Sequence, residues 1–250
     1  REYVKITTEK GIGTIEFSHP QSNSLPINIL SKITSMITKA GEDKNIKVII
    51  LKSSGERAFC AGASFDELVA IDTTENGKKF FSGFANVINA ARKCPKFIIG
   101  RVQGKAVGGG VGMVSATDYC FATKFASAKL SELAIGIGPF VVGPAVERKV
   151  GTSAFSAMTI NATKWFDANW AREKGLYTEI YDSAEEMDIE VEKLATTLSK
   201  SNPEAMEGLK KVMWQGTDHW DTLLMERALS SGTLVLSDFT RNAIAKFKKT

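Results

Sequence analysis

Hydrophobic positions in the first half of the chain follow two patterns in turn. Residues 48–51 and the segment KFIIGRV at 96–102 are mainly apolar, which is typical of strands buried on both faces of a parallel sheet. Between them, Phe80, Phe84 and Ile88 recur on one face of a helix predicted over residues 77–93. Buried strands that alternate with amphipathic helices predict an α/β core.

The N-terminal segment predicts a hairpin followed by a helix. Residues 3–18 read as two short strands joined by turn residues at 9–11. In the helix that follows, Ser24 is the predicted N-cap and Pro26 lies in the first turn.

Beyond Phe140 the strand pattern nearly disappears. One strand is predicted at 177–181, together with four or five amphipathic helices, one of which begins at Asn202 and Pro203. The last helix carries an apolar stripe that requires a partner surface, formed by Leu236, Phe239, Ala243, Ile244 and Phe247.

Composition excludes several classes of protein. The chain of 250 residues is long enough for one sizeable core, and its net charge of +4 is too small and scattered to predict binding to nucleic acid or a membrane. Three cysteines without CxxC spacing and two histidines disfavour a disulfide framework, a metal site or a Ser-His-Asp triad. No apolar stretch is long enough to span a bilayer and no secretory pattern opens the chain, so we predict a soluble, cytoplasmic protein.

Two small-residue loops are the strongest candidates for chemistry. The segment KAVGGGVGM contains Gly108, Gly109 and Gly110 and lacks both the Gly-Lys-Ser/Thr of a phosphate loop and the GxGxxG spacing. Three glycines in a row fit either a close crossing of backbones or a set of unshielded N–H donors at a helix start. A second loop, residues 61–63 of AFCAGASFDEL, also leads into a predicted helix. Two N–H groups from these loops would form an oxyanion hole.

The two loops together resemble the crotonase (enoyl-CoA hydratase/isomerase) superfamily. The segments HPQSNSLPINIL, KVIILKS, AFCAGASFDEL, VQGKAVGGGVGMVSATDY and SDFTRNAIAKF follow in the order of that family over nearly the whole chain. The resemblance implies an α/β fold, a crotonase-like spiral of ββα units with a C-terminal helical trimerisation region. It divides the chain into a catalytic core at 1–190 and a helical oligomerisation region at 191–250.

The same resemblance implies a substrate and a binding site. The substrate is an acyl-CoA thioester, coenzyme A being part of it, with no metal and no separate cofactor, and the protein is a homotrimer or hexamer. The backbone N–H groups of Ala63 and Gly109 would hold the thioester oxygen. Phe247 would pack near CoA, or would instead seal a contact between subunits. Further substrate-binding residues are Ala61, Gly62, Gly108 and Gly110.

The acidic residues favour one reaction within this family. Family hydratases usually carry two glutamates, and the first of these positions is Gly112 here, whereas the second is Glu132. The apolar neighbours of Glu132 predict a pKa raised towards neutrality. One carboxylate is sufficient to move a double bond from the 3 to the 2 position, because it can remove a proton at C2 and return it at C4. We therefore expect a 3-enoyl-CoA to 2-enoyl-CoA isomerase.

Two alternatives remain open. The first is an enoyl-CoA or methylglutaconyl-type hydratase whose second acid is relocated to Asp66 or Glu67, although acidic residues in a first helical turn are usually explained by the helix dipole. The second is a non-catalytic member of the family that binds CoA or RNA.

Overall fold

The computed structural model describes residues 1–248. The strands of this part of the chain form two sheets. The larger sheet has the order β1-β2-β3-β4-β6-β8, with β1 antiparallel to β2 and the other neighbours parallel. The smaller sheet pairs β5 with β7 in parallel. The strands are β1 (Tyr3–Glu9), β2 (Ile12–Ser18), β3 (Val48–Ser53), β4 (Ile98–Val102), β5 (Ala106–Val107), β6 (Tyr119–Thr123), β7 (Ala128–Lys129) and β8 (Glu179–Tyr181).

Single-residue bridges extend the smaller sheet into a ladder. Cys60 pairs with Ala106, Ala106 with Ala128, and Ala128 with Phe166. Each of these pairings forms one rung of the ladder. The chain passes from a strand of the larger sheet to a rung and back, and each such passage adds one turn to a spiral. The predicted α/β core of buried parallel strands is confirmed.

Ten α-helices and a short 3-10 helix, Glu132–Ile135, accompany these strands within residues 1–248. Six of the helices follow Phe140, one or two more than the sequence predicted, because the short helix Ala168–Lys174 has too few residues for a clear periodicity. The helices are α1 (Ile27–Glu42), α2 (Phe65–Val69), α3 (Thr74–Lys93), α4 (Gly109–Ser115), α5 (Gly143–Ile160, kinked at Gly151), α6 (Ala168–Lys174), α7 (Ala184–Ser199), α8 (Pro203–Met213), α9 (Trp220–Leu234) and α10 (Asp238–Lys248).

Helix α1 shows why the predicted N-cap was wrong. Its cap position is Pro26, which has no side-chain oxygen to offer, and Ser24 lies outside the helix. The carboxylate of Glu67, on α2, instead accepts a hydrogen bond of 2.8 Å from the N–H of Ile27. A distant acidic residue therefore satisfies the donor that a local serine was expected to satisfy.

The main core lies between the larger sheet and helices α1 and α3. Ile29, Ile33 and Ile37 of α1 are fully buried because their helical spacing turns them to one face. Helix α7 covers the opposite face of the sheet, where Met187 and Val191 pack against strand residues. This helix spans residue 190, so the proposed boundary between core and C-terminal region falls inside a helix that packs on the sheet; the division into domains stays a prediction.

A buried ion pair joins helix α8 to the sheet. The Lys210 ammonium lies 2.8 Å from the Asp118 carboxylate, and both side chains are almost fully buried. Asp118 also accepts hydrogen bonds from the Trp214 indole and the Ile98 N–H, both at 2.8 Å. Because every charge in this cluster has a partner, it ties the helical C-terminal region to the core.

Across residues 1–248, no helix has the length and apolar character that crossing a bilayer requires.

Candidate active site

Three loops leave the ladder at the same edge. Residues 61–63 follow the Cys60 rung, Gly108 follows β5, and Glu132 begins the 3-10 helix after β7. Since parallel strands end at a common edge, these loops meet although they are far apart in the sequence. The spiral therefore gathers the two predicted donor loops and the predicted acid in one place.

Two backbone donors at this edge have no partner. Within residues 1–248, neither the Ala63 N–H nor the Gly109 N–H is bound by another group, whereas the flanking Ser64 N–H donates to the Leu25 carbonyl and the Gly108 N–H to the Lys129 carbonyl. Gly109 is the first residue of α4, whose N-terminus has no side-chain cap. Both groups remain available to a ligand oxygen.

The glycines let the loops approach each other. Gly62 and Gly108 have φ values of +97° and +53°, which favour glycine. A methyl group on Gly110 would lie 2.5 Å from the Cys60 carbonyl oxygen, and one on Gly109 would lie 2.4 Å from the Phe84 ring. The glycine run therefore serves a close backbone crossing as well as unshielded donors, so both interpretations from the sequence apply.

Glu132 presents an unusual carboxylate. The residue as a whole is partly accessible, yet its Oε1 atom is buried and has no hydrogen-bond partner among the described residues. Burial raises the pKa of Glu132 to about 7, while an interaction with its own backbone acts in the opposite direction. Gly108 lies against it, since a methyl group there would be 3.4 Å from Oε1. A carboxyl group with this pKa can accept and return a proton near neutral pH.

A cavity of about 370 Å³ brings these groups together. Seven of the eight predicted site residues line it: Ala61, Gly62, Ala63, Gly108, Gly109, Glu132 and Phe247. Gly110 does not, because it is packed behind the wall against Cys60. Its predicted contact with substrate is replaced by a role in joining the two loops.

Gly112 lies where the wall is closed by an apolar side chain. A methyl group on Gly112 would be 2.4 Å from Cγ1 of Val142, and Val142 itself lines the cavity. A longer side chain at position 112 therefore has no room unless Val142 moves. The absent acid is replaced by hydrocarbon rather than by a polar group or an open space.

Neither alternative acid reaches the cavity wall. Asp66 is exposed, and one carboxylate oxygen of Glu67 accepts a hydrogen bond from the N–H of Ile27. Ser64 caps α2 through a hydrogen bond of 3.3 Å from the Glu67 N–H to its hydroxyl oxygen. Glu67 therefore stabilises the N-terminus of α1, and Ser64 stabilises the N-terminus of α2.

Aromatic rings surround the mouth and the interior of the cavity. Phe247 of α10 meets Phe65 of α2 edge to face, with ring centres 6.4 Å apart. Near Lys129, which lines the cavity, the Trp165 ring lies 4.2 Å from the Lys129 ammonium and 4.8 Å from that of Lys105. Phe80, Phe81 and Phe84 form part of the inner wall.

Sequence reasoning missed several residues of the wall. Phe84 was assigned to the core face of α3, and the placement of the loop that contains Val142 could not be derived from the sequence. Phe84 and Val142 reach the cavity where separate turns of the spiral meet, so a local sequence pattern does not predict their positions. The paired apolar residues of PFVVGPAV were the one available signal that this loop faces inward.

The fold of this chain is that of solved enoyl-CoA hydratases. An enoyl-CoA hydratase from Bacillus halodurans has the same fold, with a TM-score of 0.90, 19% identity, and coverage of 98% of this chain and 99% of that chain. The chain therefore has the crotonase fold.

The family follows from the sequence. The family model described as enoyl-CoA hydratase/isomerase matches residues 7–242, and the chain belongs to this family of enzymes. It is 29% identical to a bacillaene synthase dehydratase of Bacillus subtilis, covering 94% of this chain and 89% of the relative. It is 25% identical to a peroxisomal dienoyl-CoA isomerase of Arabidopsis thaliana, covering 85% and 80%. A mitochondrial methylglutaconyl-CoA hydratase of Mus musculus is 28% identical, with 89% and 72% covered.

Proposed function

We propose that this enzyme shifts the double bond of a 3-enoyl-CoA thioester to the 2 position with Glu132 as the single acid-base residue. The observation that carries this proposal is the buried, unpaired Oε1 atom of Glu132 in a cavity that is also lined by Ala63 and Gly109, whose N–H groups are unpaired. The hydrocarbon wall at Gly112 and Val142 supports a reaction that needs no second carboxylate.

The reaction moves one proton and no other atom. The N–H groups of Ala63 and Gly109 bind the thioester oxygen, and the Glu132 carboxylate removes a proton from C2. The electron pair of that C–H bond enters the C1–C2 bond, and the negative charge collects on the oxygen held by the two donors. Protonated Glu132 then delivers the proton to C4, which leaves the double bond between C2 and C3 and restores the carboxylate.

The lining of the cavity supports an apolar acyl group. Among the described lining residues, Lys129 and Glu132 are the charged side chains, and the Lys129 ammonium lies over the Trp165 ring. Phe80, Phe84 and Val142 offer hydrocarbon to the substrate. We expect no metal and no cofactor beyond the coenzyme A portion of the substrate.

The trimer or hexamer also stays a prediction. Its support is a set of exposed apolar side chains on α8 and α9, namely Leu209, Val212, Met213, Leu229 and Leu234. Light scattering of the purified protein would measure the number of subunits; a monomer at micromolar concentration would contradict the prediction. The cytoplasmic location and the expected absence of nucleic-acid binding likewise stay predictions.

The test of the proposed reaction compares the natural protein with Glu132→Gln. Each receives a 3-enoyl-CoA and, separately, crotonyl-CoA, while absorbance of the conjugated thioester and chromatography identify the products. We expect conjugation of the 3-enoyl substrate, no hydration of crotonyl-CoA, and loss of conjugation in the variant. Rapid hydration of crotonyl-CoA by the natural protein would instead identify a hydratase, and inactivity towards both substrates would contradict both reactions.

A further inference from the structure

The turn that carries Glu132 is covered by the C-terminal helix. Helix α10 packs against the 3-10 helix Glu132–Ile135, whose C-terminal cap is Gly136. A methyl group on Gly136 would lie 2.4 Å from the Phe239 ring and 2.8 Å from the Thr240 hydroxyl. The fit is close enough that the turn cannot move towards α10 without displacing one of these side chains.

The position of the Glu132 carboxylate depends on this turn. Its Oε1 atom has no hydrogen-bond partner in residues 1–248 that would fix the side chain from outside. The main chain is fixed instead, because the Glu132 carbonyl accepts a hydrogen bond of 3.1 Å from the Ile137 N–H and Gly136 adopts φ +81° between them. Whatever restrains Gly136 and Ile137 therefore restrains the main chain from which the Glu132 side chain extends.

Helix α10 restrains both residues. Phe239 and Thr240 abut Gly136, and Ile244, one turn further along, shares a buried apolar cluster with Ile137. Thr240 is fully buried, and its N–H is held by the Ser237 hydroxyl at 3.2 Å, which fixes the start of the helix. Phe247, near the end of the same helix, lines the cavity.

We propose that Phe239 and Thr240 are positioning residues, which act through Gly136 to hold Glu132 at the distance from the bound thioester that proton transfer requires. This inference rests on the proposed function of Glu132. It assigns the two ends of α10 different tasks: Phe239 and Thr240 govern the chemical step, whereas Phe247 contacts the ligand at the mouth.

Turnover of a 3-enoyl-CoA by Phe239→Ala, Phe239→Tyr and Phe247→Ala tests this assignment. We expect Phe239→Ala to lower kcat about tenfold with KM within about twofold, because a displaced catalytic group slows chemistry more than binding. Phe239→Tyr retains the ring and should retain kcat, while Phe247→Ala should mainly raise KM. Phe125→Ala, which removes another exposed ring, is the matched control and should change neither constant.

The contact itself is tested by combining substitutions. Gly136→Ala alone should lower kcat about 100-fold, because the new methyl group meets the Phe239 ring and the Thr240 hydroxyl and is strained at φ +81°. In Gly136→Ala/Phe239→Ala the ring is absent, while the strain of a side chain at φ +81° and the contact with the Thr240 hydroxyl remain. The combined loss of kcat should therefore be smaller than the product of the two single losses. Losses that simply multiply in the double variant would overturn the inference.

Two further measurements keep this test separate from folding and from the proposed reaction. Melting temperature and molecular mass are measured for every variant; a fall in kcat found only where one of them also falls would overturn the positioning role. Glu132→Gln is assayed beside them. If it abolishes turnover while the Phe239 variants match the natural protein, the inference fails and the proposed function stands; if it retains turnover, the proposed function fails.

Discussion

Glu132 and Glu67 lie close to the same pair of loops but have opposite surroundings. The Glu67 carboxylate binds the first N–H of α1, and its own N–H is capped by Ser64. The Glu132 carboxylate is buried against Gly108 with an unpaired oxygen, and burial raises its pKa to about 7. An acid whose hydrogen bonds are satisfied stabilises structure, whereas one held without partners beside a cavity keeps its capacity for a reacting proton.

The sharpest way to separate the two acids is to shorten each by one methylene. In Glu132→Asp the carboxylate is retained but withdrawn from the substrate, so kcat for a 3-enoyl-CoA should fall about 100-fold. Glu67→Asp should keep kcat within about threefold, because its carboxylate is not on the cavity wall. Steady-state kinetics measure kcat for both variants. An equal fall in kcat would show that the different surroundings of Glu132 and Glu67 do not give them different catalytic roles.

Stability as a function of pH tests the environment of Glu132 without any substrate. A carboxyl group whose pKa is about 7 when folded and 4.5 as its ordinary value holds its proton longer in the folded state. Stability of the natural protein should therefore decline, relative to Glu132→Gln, as pH rises from about 4.5 to about 7. We expect the difference in free energy of unfolding between the two proteins to change by about 2–3 kcal/mol from pH 5 to pH 8.

Denaturant unfolding at several pH values measures that difference. A constant gap between the natural protein and Glu132→Gln across this range would show that the carboxyl group is not ionising in a buried site. The catalytic counterpart is a kcat/KM that falls about tenfold for each pH unit below about 7, since the proton acceptor is the ionised form.

A second carboxylate tests whether one acid is what restricts the reaction. Gly112→Glu combined with Val142→Ala removes the side chain that fills this wall and places a second acid at the position next to it. We expect hydration of crotonyl-CoA at least about tenfold above that of the natural protein, because a positioned acid contributes a factor of that order or more. Val142→Ala alone is the control. If it hydrates crotonyl-CoA as fast as the double variant does, the absence of an acid at position 112 does not explain the reaction.

The smallest expected effect belongs to Glu67. Glu67→Ala leaves the Ile27 N–H without its partner and should lower the free energy of unfolding by about 1 kcal/mol. Thermal or urea unfolding measures the loss, and kcat should stay within about threefold. Asp66→Ala is the exposed neighbour for comparison and should leave stability nearly unchanged.

Much of this site was accessible from the sequence because its parts are local. The two loops are each recognisable in a short segment, the roles of Gly112 and Glu132 followed from the resemblance to the crotonase superfamily, and the raised pKa of Glu132 was predicted from its apolar neighbours. The direction and its cause, burial of the carboxyl group, agree with the prediction, but not all of the sequence neighbours provide that burial. Leu133 is 47% exposed, and the backbone at Gly108, from another turn of the spiral, lies against the carboxylate instead.

What the sequence did not reveal depends on contacts between distant segments. The cap on α1 comes from Glu67 instead of Ser24, Val142 closes the wall at Gly112, and Phe239 lies over Gly136. Each contact is set by the way successive turns of the spiral and the C-terminal helix pack, and periodicity within one element carries no information on that packing.

The ladder of single rungs has a consequence for how this enzyme can change. Each rung delivers one group to the shared edge: the first loop and Gly109 each a backbone donor, and the third loop a carboxylate. Because a rung is held by the paired main chain, the residues beyond it can be exchanged while the other two groups keep their places. On the proposed role of the two donors in binding a thioester oxygen, new reactivity can be reached by altering one loop at a time while that binding is kept.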